Sequence, residues 1–404
     1  MTAQADANVT SKKHRILAIT GIRSEYDILK PVLGALTDSS LFEVAIVVSG
    51  AHLSGLHGSS GEWVERDGFA VVDRIDSLLN TERTTQRPHA IANLVAGLTQ
   101  TVDRENPDFL LVVGDREEAL AAAIVGNYMQ KVVVHIAGGD TAVGNADDPV
   151  RTAVSKLAHI HFVMAVPFAK NLESLGEERF RIAVTGNPAI SGIAAVPSLS
   201  MDSVSEAVGT ALRRHQFVVF LMHPFSSSAQ FGDSDVSTAL AGVAGFASDR
   251  GLDVVAVRPN SDPGAGSINA HLDSYAARSR HFSVVDSLPQ LEFVNLMRNA
   301  LCLAGNSSMG ILEAPAYSLP VVNIGPRQVG RLDAGNVRFV SADVLEIRQA
   351  LDTACFDAEF RASLSTCVNP YGDESAAERM VQFLETVDPR SDEWLVKQRL
   401  YAAE

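Results

Sequence analysis

The chain has 404 residues, of which 46% are hydrophobic and 20% are charged, and its formal net charge is −15. This length exceeds what one hydrophobic core usually organises, so two domains are expected. The acidic balance argues against non-specific binding to nucleic acid or to an anionic membrane surface, because such binding relies on clustered lysine and arginine. The three cysteines form no CxxC pair, which favours reduced thiols in a cytoplasmic protein.

The first half of the chain repeats one pattern of short, β-branched, nearly continuous apolar runs. These runs are HRILAITG, FEVAIVVSG, PDFLLVVGD, VVVHIAGG, HIHFVMA and RIAVTGNP. Such runs are typical of strands that are buried on both faces of a parallel sheet. Helical patterns lie between them at 26–36, 91–102, 117–129 and 149–158, so a doubly wound sheet with right-handed crossovers is predicted.

The same pattern restarts after residues 191–205, a stretch rich in serine, alanine and proline that is predicted to be a linker. The later runs are QFVVFLMHP, LDVVAVRPN, HFSVVDSLP, ALCLAGNSS and PVVNIG. The predicted fold class is therefore α/β, with two doubly wound Rossmann-like domains that face each other across a cleft. Because open α/β sheets bind ligands at the carboxyl ends of their strands, functional side chains should follow the strands directly.

Two charged residues follow strands of the first half. Arg23 stands in TGIRSEYD, where it suits bidentate contact with phosphate or a surface ion pair with Glu25 or Asp27. Asp115 stands in LVVGDREEA, after a buried run and ahead of a helix. A carboxylate at that place is either the helix N-cap or a catalytic group.

The densest segment is HIAGGDTAVGNADDPVRTAVSKLAH. It places Asp140, Asp147 and Asp148 in a glycine-rich loop, with Arg151 four residues after Asp147. Carboxylates that crowd into one cleft push their pKa values apart, as general acid/base catalysis requires. The alternatives are a calcium loop or helix capping, although the EF-hand pattern is missing.

The second half also carries polar residues at strand ends. His223 follows the run VVFLM and is a candidate for proton transfer or a structural histidine. Asn260 and Asp262 stand in RPNSDPG, which is either a ligand-contacting loop or a plain turn. His159 and His161 alternate on a strand without a third ligand in sequence and are interpreted as structural.

The segment GNSSMGILEAP joins a strand to a predicted helix that begins near Met309. A helix N-terminus offers unpaired N–H groups, and the hydroxyls of Ser307 and Ser308 add donors for a phosphate. Capping by Asn306 or Ser307 is the alternative. Glu313 follows in an otherwise apolar helix, where a carboxylate is costly unless it accepts hydrogen bonds, for example from sugar hydroxyls.

Taken together, these blocks resemble the hydrolysing UDP-N-acetylglucosamine 2-epimerases of sialic-acid-type sugar biosynthesis. The resemblance covers nearly the whole chain in order and rests on the blocks TGIRSEYDILKPV, PDFLLVVGDREEALAAAI, HIAGGDTAVGNADDPVRTAVSKLAHIHF, RPNSDPG and GNSSMGILEAPAYSLPVVNIGPRQVGRLDAGNV. It implies the GT-B architecture. Residues 13–195 would form the N-terminal sugar-side domain, 205–374 the UDP-binding domain, and 375–404 a C-terminal helix and tail that return to the first domain.

The resemblance implies a mechanism without metal or cofactor, in which a base removes the C2 proton while UDP leaves from C1. Water then adds to the resulting glycal, which releases the free 2-epimeric sugar. Asp115, Asp140, Asp147 and His223 match the acid/base positions of the family. The positions that match UDP contacts are Arg23, Ser307, Ser308, Glu313 and Arg331, and those that match substrate contacts are Arg116, Arg151, Asn260 and Asp262.

The chain departs from the family pattern on the sugar side. Where relatives usually read HIHGGE or HIEGGE, this chain reads HIAGGD, so Ala137 replaces a polar group and Asp140 is one methylene shorter than glutamate. Thr152 stands where a histidine is common. The hexose is therefore left open between UDP-N-acetylglucosamine and a 2,4-diacetamido-trideoxy relative.

The resemblance also implies a homodimer or homotetramer. Three other functions use the same cleft and remain as alternatives. The first is a non-hydrolysing epimerase that returns UDP to the glycal and releases UDP-N-acetylmannosamine. The second is a GT-B glycosyltransferase, and the third is a non-catalytic UDP-sugar sensor.

Overall fold

The computed structural model describes residues 13–55, 60–79, 85–140, 147–224, 232–259 and 264–398. The strands are β1 His14–Thr20, β2 Phe42–Ser49, β3 Val71–Ile75, β4 Phe109–Val113, β5 Val132–Ile136, β6 Ile160–Val163, β7 Ile182–Val184, β8 Phe217–Leu221, β9 Asp253–Val257, β10 Phe282–Val285, β11 Cys302–Gly305, β12 Val321–Ile324 and β13 Val337–Val340. The helices are α1 Arg23–Asp38, α2 Gly61–Arg66, α3 Gln86–Glu105, α4 Glu117–Tyr128, α5 Asp148–Leu157, α6 Val166–Ser174, α7 Pro188–Ala195, α8 Met201–Val208, α9 Asp233–Arg250, α10 Ala265–Ala276, α11 Gln290–Asn299, α12 Met309–Leu312, α13 Val344–Phe356, α14 Ala358–Ser363, α15 Ala376–Leu384 and α16 Asp392–Leu395.

The strands form two parallel sheets. The first sheet has the order β3-β2-β1-β4-β5-β6-β7 and the second has the order β10-β9-β8-β11-β12-β13. In both sheets the strand order reverses beside the first strand of the unit, which is β1 in one and β8 in the other. The predicted α/β class, with two doubly wound Rossmann-like units, is confirmed. Crevices at such reversal points are where open α/β sheets bind their ligands.

The central strands are buried on both faces because their side chains are apolar at every position. All five residues of β4 and all five of β8 are buried. Helices cover both faces of each sheet, as a parallel sheet requires. One apolar cluster continues from the first sheet through α1 and α11 into β11 of the second sheet, so the two halves share part of their core.

The segment 191–205 was predicted as a linker, and this prediction was partly wrong. Helix α7 extends to Ala195 and α8 begins at Met201. Both helices start at caps: Asn187 accepts from Ala189 N at 3.1 Å and Ser200 accepts from Ser203 N at 3.1 Å. Serine and asparagine therefore mark helix starts here, because their side chains satisfy backbone N–H groups of the first turn.

The C-terminal segment packs on the first half of the chain. Helix α15 lies against α1 and α7, and Arg379 donates to the Thr185 carbonyl at 2.9 and 2.7 Å. Beyond it, the fully buried Arg181 donates to the carbonyls of Trp394 and Val396, both at 2.9 Å. Within the described residues, no helix is long and apolar enough to cross a membrane.

Candidate active site

A cleft lies between the carboxyl ends of the strands of the two sheets. All predicted site residues that the structure describes line it: Arg23, Asp115, Arg116, Asp140, Asp147, Arg151, His223, Ser307, Ser308, Glu313 and Arg331. The remaining two, Asn260 and Asp262, lie outside the described residues. The strand ends bring these side chains together because parallel strands end at the same edge of a sheet.

Asp115 follows β4 and is held by an arginine from another element. Arg151, in α5, donates through Nη2 to Asp115 Oδ2 and through Nη1 to the Ala137 carbonyl at 2.9 Å. The N-cap residue of α4 is Arg116, so Asp115 does not cap that helix. The pairing is charge-assisted and fixes the carboxylate at the cleft wall.

Although burial disfavours its charge, the pKa of Arg151 is raised, because Asp115, Asp140 and Asp148 surround it. A guanidinium in this position remains charged at any pH at which the protein is folded. This side of the cleft therefore carries a permanent positive charge among its carboxylates.

Asp140 is buried, with 3% of its surface exposed, and it contacts the opposite half of the molecule. Arg331 donates through Nη2 to Asp140 Oδ2, and through Nη1 to Gln328 at 2.9 Å. No described residue donates to the other Asp140 oxygen, Oδ1. A buried acceptor of this kind costs free energy unless a ligand satisfies it, so Oδ1 is a position for a substrate proton or hydroxyl.

Asp147 is the residue before α5 and makes no side-chain capping bond to that helix. Instead, Arg87 of α3 donates to Asp147 Oδ1 at 2.6 Å and also contacts Glu117. The capping alternative for Asp147 is therefore wrong. The physical reason is that an arginine from α3 gives a stronger, charge-assisted bond than the backbone N–H groups offer.

His223 follows β8 and is 8% exposed. The side chain of Asn306 clamps its backbone, since His223 N donates to Asn306 Oδ1 at 2.7 Å and Asn306 Nδ2 donates to the His223 carbonyl at 2.9 Å. Asn306 thus joins the ends of β8 and β11, and it does not cap α12. A side chain on Gly305 would meet the Leu221 carbonyl at 2.0 Å, which explains why glycine ends β11.

Ser307 and Ser308 precede a shorter helix than the sequence predicts. Helix α12 ends at Leu312, and a 3-10 turn begins at Ala314, so Glu313 lies at the break between them. Pro315 accounts for this break, because it has no N–H to donate to the Ile311 carbonyl and its ring would clash with that carbonyl in a continuous helix. The break directs Glu313 into the cleft beside the serines.

Arg23 connects the two halves at the mouth of the cleft. Its Nη1 donates to the Leu288 carbonyl of the second half at 3.0 Å, and its guanidinium lies 4.8 Å from the centre of the Phe293 ring. The predicted ion pair with Asp27 is also present, at 3.8 Å. Arg23 therefore belongs to the site and is not a surface residue.

Sequence reasoning missed some residues of the site. Arg87 holds Asp147 and Glu117 from 60 and 30 residues away, respectively, and nothing in its local sequence marks it. Gln328 and Arg327 both donate to the Asn306 carbonyl at 3.0 Å and stabilise the serine loop, the segment 306–308 between β11 and α12. Gln328 is only 1% exposed, and a buried polar side chain indicates a role in the site. This burial cannot be read from the sequence.

Three comparisons with known proteins bear on this site. The family model described as UDP-N-acetylglucosamine 2-epimerase matches residues 34–385. A UDP-N,N'-diacetylbacillosamine 2-epimerase (hydrolyzing) from Legionella pneumophila is 31% identical over 92% of this chain and 96% of its own length. A UDP-N-acetylglucosamine 2-epimerase from Neisseria meningitidis is 29% identical over 86% of this chain and 89% of its own length.

The fold has counterparts among solved structures. A UDP-GlcNAc 2-epimerase from Neisseria meningitidis, solved with UDP-GlcNAc bound, superposes with a TM-score of 0.78. The match covers 92% of this chain and 100% of that one, at 18% identity. At this identity the superposition establishes the shared two-sheet architecture.

Proposed function

The chain belongs to the UDP-N-acetylglucosamine 2-epimerase family, and on that basis we propose that it is a hydrolysing 2-epimerase. Its substrate is UDP-N-acetylglucosamine or a related UDP-2-acetamido sugar, and its products are UDP and the free 2-epimeric sugar. The hydrolysing outcome is favoured by the Legionella relative, whose name specifies it. The Neisseria relative's name leaves the fate of UDP open.

One observation carries the proposal, namely the contact between Asp140 and Arg331 across the cleft. It puts a carboxylate of the first half against a cation of the second half, next to the serine loop. A sugar diphosphate needs such an arrangement, because the bond that breaks lies between the sugar carbon and the diphosphate. The carboxylates serve the sugar, and Arg331 serves the charge that develops on the departing diphosphate.

The reaction then follows from acid/base chemistry. A carboxylate of the group Asp115, Asp140 and Asp147 takes the proton from C2, and the electron pair forms the C1–C2 double bond. The bond between C1 and the diphosphate oxygen breaks, and UDP leaves with the electron pair of that C1–O bond. Water adds its oxygen to C1 of the glycal, C2 receives a proton on the opposite face, and a second carboxylate or His223 relays these protons.

The second half holds the nucleotide. Ser307 and Ser308 precede the short helix α12, and their hydroxyls donate to the diphosphate. Ser307 Oγ also accepts from Met309 N at 3.4 Å, so it caps the helix at the same time. Glu313 accepts the ribose hydroxyls, and the backbone at 289–293 faces the uracil. Arg23 reaches from the first half to this end of the cleft and contributes a further cation.

The sugar side is more apolar than the family pattern. Ala137 and Met164 line the cleft near Asp115 and Asp140. Ala137 takes a left-handed backbone conformation, with φ of 67°, and its carbonyl is engaged by Arg151. An apolar wall suits a deoxy sugar better than one with a free 6-hydroxyl, which favours a 2,4-diacetamido-trideoxy hexose over N-acetylglucosamine.

Proton NMR of turnover in heavy water tests the proposal. The purified protein is incubated separately with UDP-N-acetylglucosamine and with the UDP-linked 2,4-diacetamido-trideoxy sugar. We expect free UDP, a free 2-epimeric sugar and deuterium at C2. An epimer that remains attached to UDP would identify a non-hydrolysing epimerase, and acceptor-dependent turnover without deuterium at C2 would identify a glycosyltransferase.

Glu313 gives the proposal a pH dependence. Burial, reinforced by the nearby Asp27 and partly offset by Arg23, raises the pKa of Glu313 to about 7. Only the carboxylate accepts two ribose hydroxyls, so the affinity for UDP should fall as the pH drops below that value. We expect a loss of up to about tenfold per pH unit, measured by calorimetry.

The matched control for this pH dependence is Glu313→Gln. It keeps the size of the side chain and cannot titrate, so its UDP affinity should be weak and independent of pH over the same range. An identical pH dependence in this variant and in the wild type would contradict the assignment of Glu313 to the ribose.

The proposal extends to the organisation of the chain. Residues 13–195 supply the acid/base side, 205–374 bind UDP, and 375–404 return to the first domain. The protein works as a homodimer or homotetramer in the cytoplasm, and sedimentation of the purified chain measures the assembly.

A further inference from the structure

His135 lies directly behind the predicted catalytic carboxylates, in the middle of the first sheet. It belongs to β5, pairs in register with Val112 of β4, and is fully buried. It does not line the cleft. A buried histidine so close to the predicted acid/base residues is either a core residue with no role in the reaction or a group that orients these residues.

One ring nitrogen of His135 holds the backbone at Asp115. Its Nε2 lies 2.7 Å from the Gly114 carbonyl. Because a carbonyl can only accept, Nε2 carries the proton and donates it. The carbonyl of Gly114 belongs to the peptide group that leads into Asp115, so this bond fixes the direction from which the Asp115 side chain enters the cleft.

The other ring nitrogen faces α5. Ser155 Oγ lies 3.2 Å from His135 Nδ1 and 2.9 Å from the Arg151 carbonyl. Ser155 therefore connects the ring to the helix turn that carries Arg151, whose guanidinium pairs with Asp115. The series of contacts starts at the Gly114 carbonyl, passes through the His135 ring, Ser155 and Arg151, and ends at the Asp115 carboxylate.

The loop toward Asp140 packs on the same contact. A Cβ atom on Gly138 would lie 3.0 Å from His135 Nδ1 and 3.1 Å from Ser155 Oγ. Any larger residue at position 138 would push this pair apart by a few tenths of an ångström. Gly138, the second residue after β5, therefore packs directly against His135 and Ser155.

The ring is neutral in this setting. Burial lowers the pKa of His135 to about 3, and the positive charge of Arg151 acts in the same direction, although the Gly114 carbonyl opposes both. A neutral ring with the proton on Nε2 leaves Nδ1 as an acceptor, so the single hydroxyl proton of Ser155 is shared between Nδ1 and the Arg151 carbonyl. The ring therefore does not exchange protons with the substrate.

We propose that His135 is a positioning residue, which aligns Asp115 and Arg151 for proton transfer through the Gly114 carbonyl and through Ser155. Its kinetic consequence rests on the proposed function, because it requires Asp115 to act on the substrate. The network itself does not depend on the identity of the substrate.

Two variants distinguish the hydrogen bond made by Nε2 from the contact made by Nδ1. His135→Gln keeps a donor near the Nε2 position, whereas His135→Asn places its amide near Nδ1 and loses the bond to Gly114. We expect kcat to fall by about 10²-fold in His135→Asn, with KM and UDP affinity near the wild-type values, and His135→Gln to recover a large part of the loss. Ser155→Ala, a milder change that leaves the ring in place, should also lower kcat and not KM.

The matched control is His161→Gln. His161 is the register partner of His135 on the next strand, is equally buried, and contacts Glu177 away from the cleft. The His161→Gln variant should be less stable than the wild type but have the same kcat. Equal kcat losses in His161→Gln, His135→Gln and His135→Asn would overturn the proposal, as would an unchanged kcat in both His135→Asn and Ser155→Ala.

Nitrogen-15 NMR of the histidine rings tests the network without any substrate. We expect His135 to be neutral, with its proton on Nε2, from pH values of about 5 to 8. A proton on Nδ1 or a charged ring would overturn the proposal. If the wild type released no UDP from any UDP-sugar, the proposed function would be wrong. The NMR measurement would still show whether the His135 hydrogen bonds exist as described.

Discussion

Replacement of Asp115 by asparagine is expected to abolish turnover while UDP binding stays near the wild-type level. The amide keeps the shape of the side chain and its contact with Arg151, but it cannot accept a proton. General acid/base groups contribute roughly 10²- to 10⁴-fold to rate, so we expect kcat to fall by at least about 10³-fold. UDP release is measured by a coupled assay, and UDP affinity by calorimetry.

The matched control for this prediction is Asp108→Asn. Asp108 precedes strand β4, whereas Asp115 follows it, and it also pairs with an arginine, Arg390, at 3.2 Å. It accepts from Arg15 N at 2.9 Å, so its loss costs stability and not catalysis. Comparable kcat losses in both variants, or full activity in Asp115→Asn, would show that Asp115 is not an acid/base group.

Replacement of Arg331 by glutamine is expected to cost both stability and turnover. Arg331 and Asp140 are 6% and 3% exposed, so the variant leaves a buried carboxylate without its partner. Removing one member of a buried ion pair costs about 3–5 kcal/mol. The free energy of unfolding is obtained from urea denaturation, and UDP affinity should fall as well, because a cation near the diphosphate is lost.

The double variant Asp140→Asn with Arg331→Gln distinguishes a buried pair from two independent residues. It removes both charges, so it should recover most of the lost stability and remain inactive. The exposed pair of Arg66 and Glu62, at 2.9 Å, is the control, and Arg66→Gln should cost no more than about 1 kcal/mol. Additive stability losses in the double variant would contradict the predicted coupling.

The fold was predictable because its signal is local. Of the thirteen strands in the described residues, eleven were marked by an apolar run, and the residues that follow those runs marked the cleft edge. The edge strands β3 and β13 were missed, because VVDRI and VRFV are interrupted by charged residues. Helix bounds were less predictable: α1 begins at Arg23 and α3 at Gln86, both several residues before the apolar pattern becomes regular. Their first turns are polar because they face the cleft or solvent.

The residues that line the cleft were predictable, but their contacts with one another were not. Asp115, Asp140, Asp147 and His223 follow strands, and topology alone gathers strand ends at one edge. Which arginine meets which carboxylate depends on distant elements: Arg87 comes from α3, Arg151 from α5 and Arg331 from the second half. In the sequence alone, each carboxylate could equally well cap the helix that follows it.

The amino-acid sequence by itself determined two parallel sheets, a ligand cleft at their strand ends and the residue types that line it, because apolar periodicity and loop chemistry are properties of neighbouring residues. Only the tertiary structure decided that Asp140 meets Arg331 across 191 residues, that Pro315 turns Glu313 into the cleft, and that the buried ring of His135 supports Asp115. These contacts arise when two separately wound sheets close on each other, and their strength comes from burial. Burial is a property of the folded molecule and is absent from any short stretch of the chain.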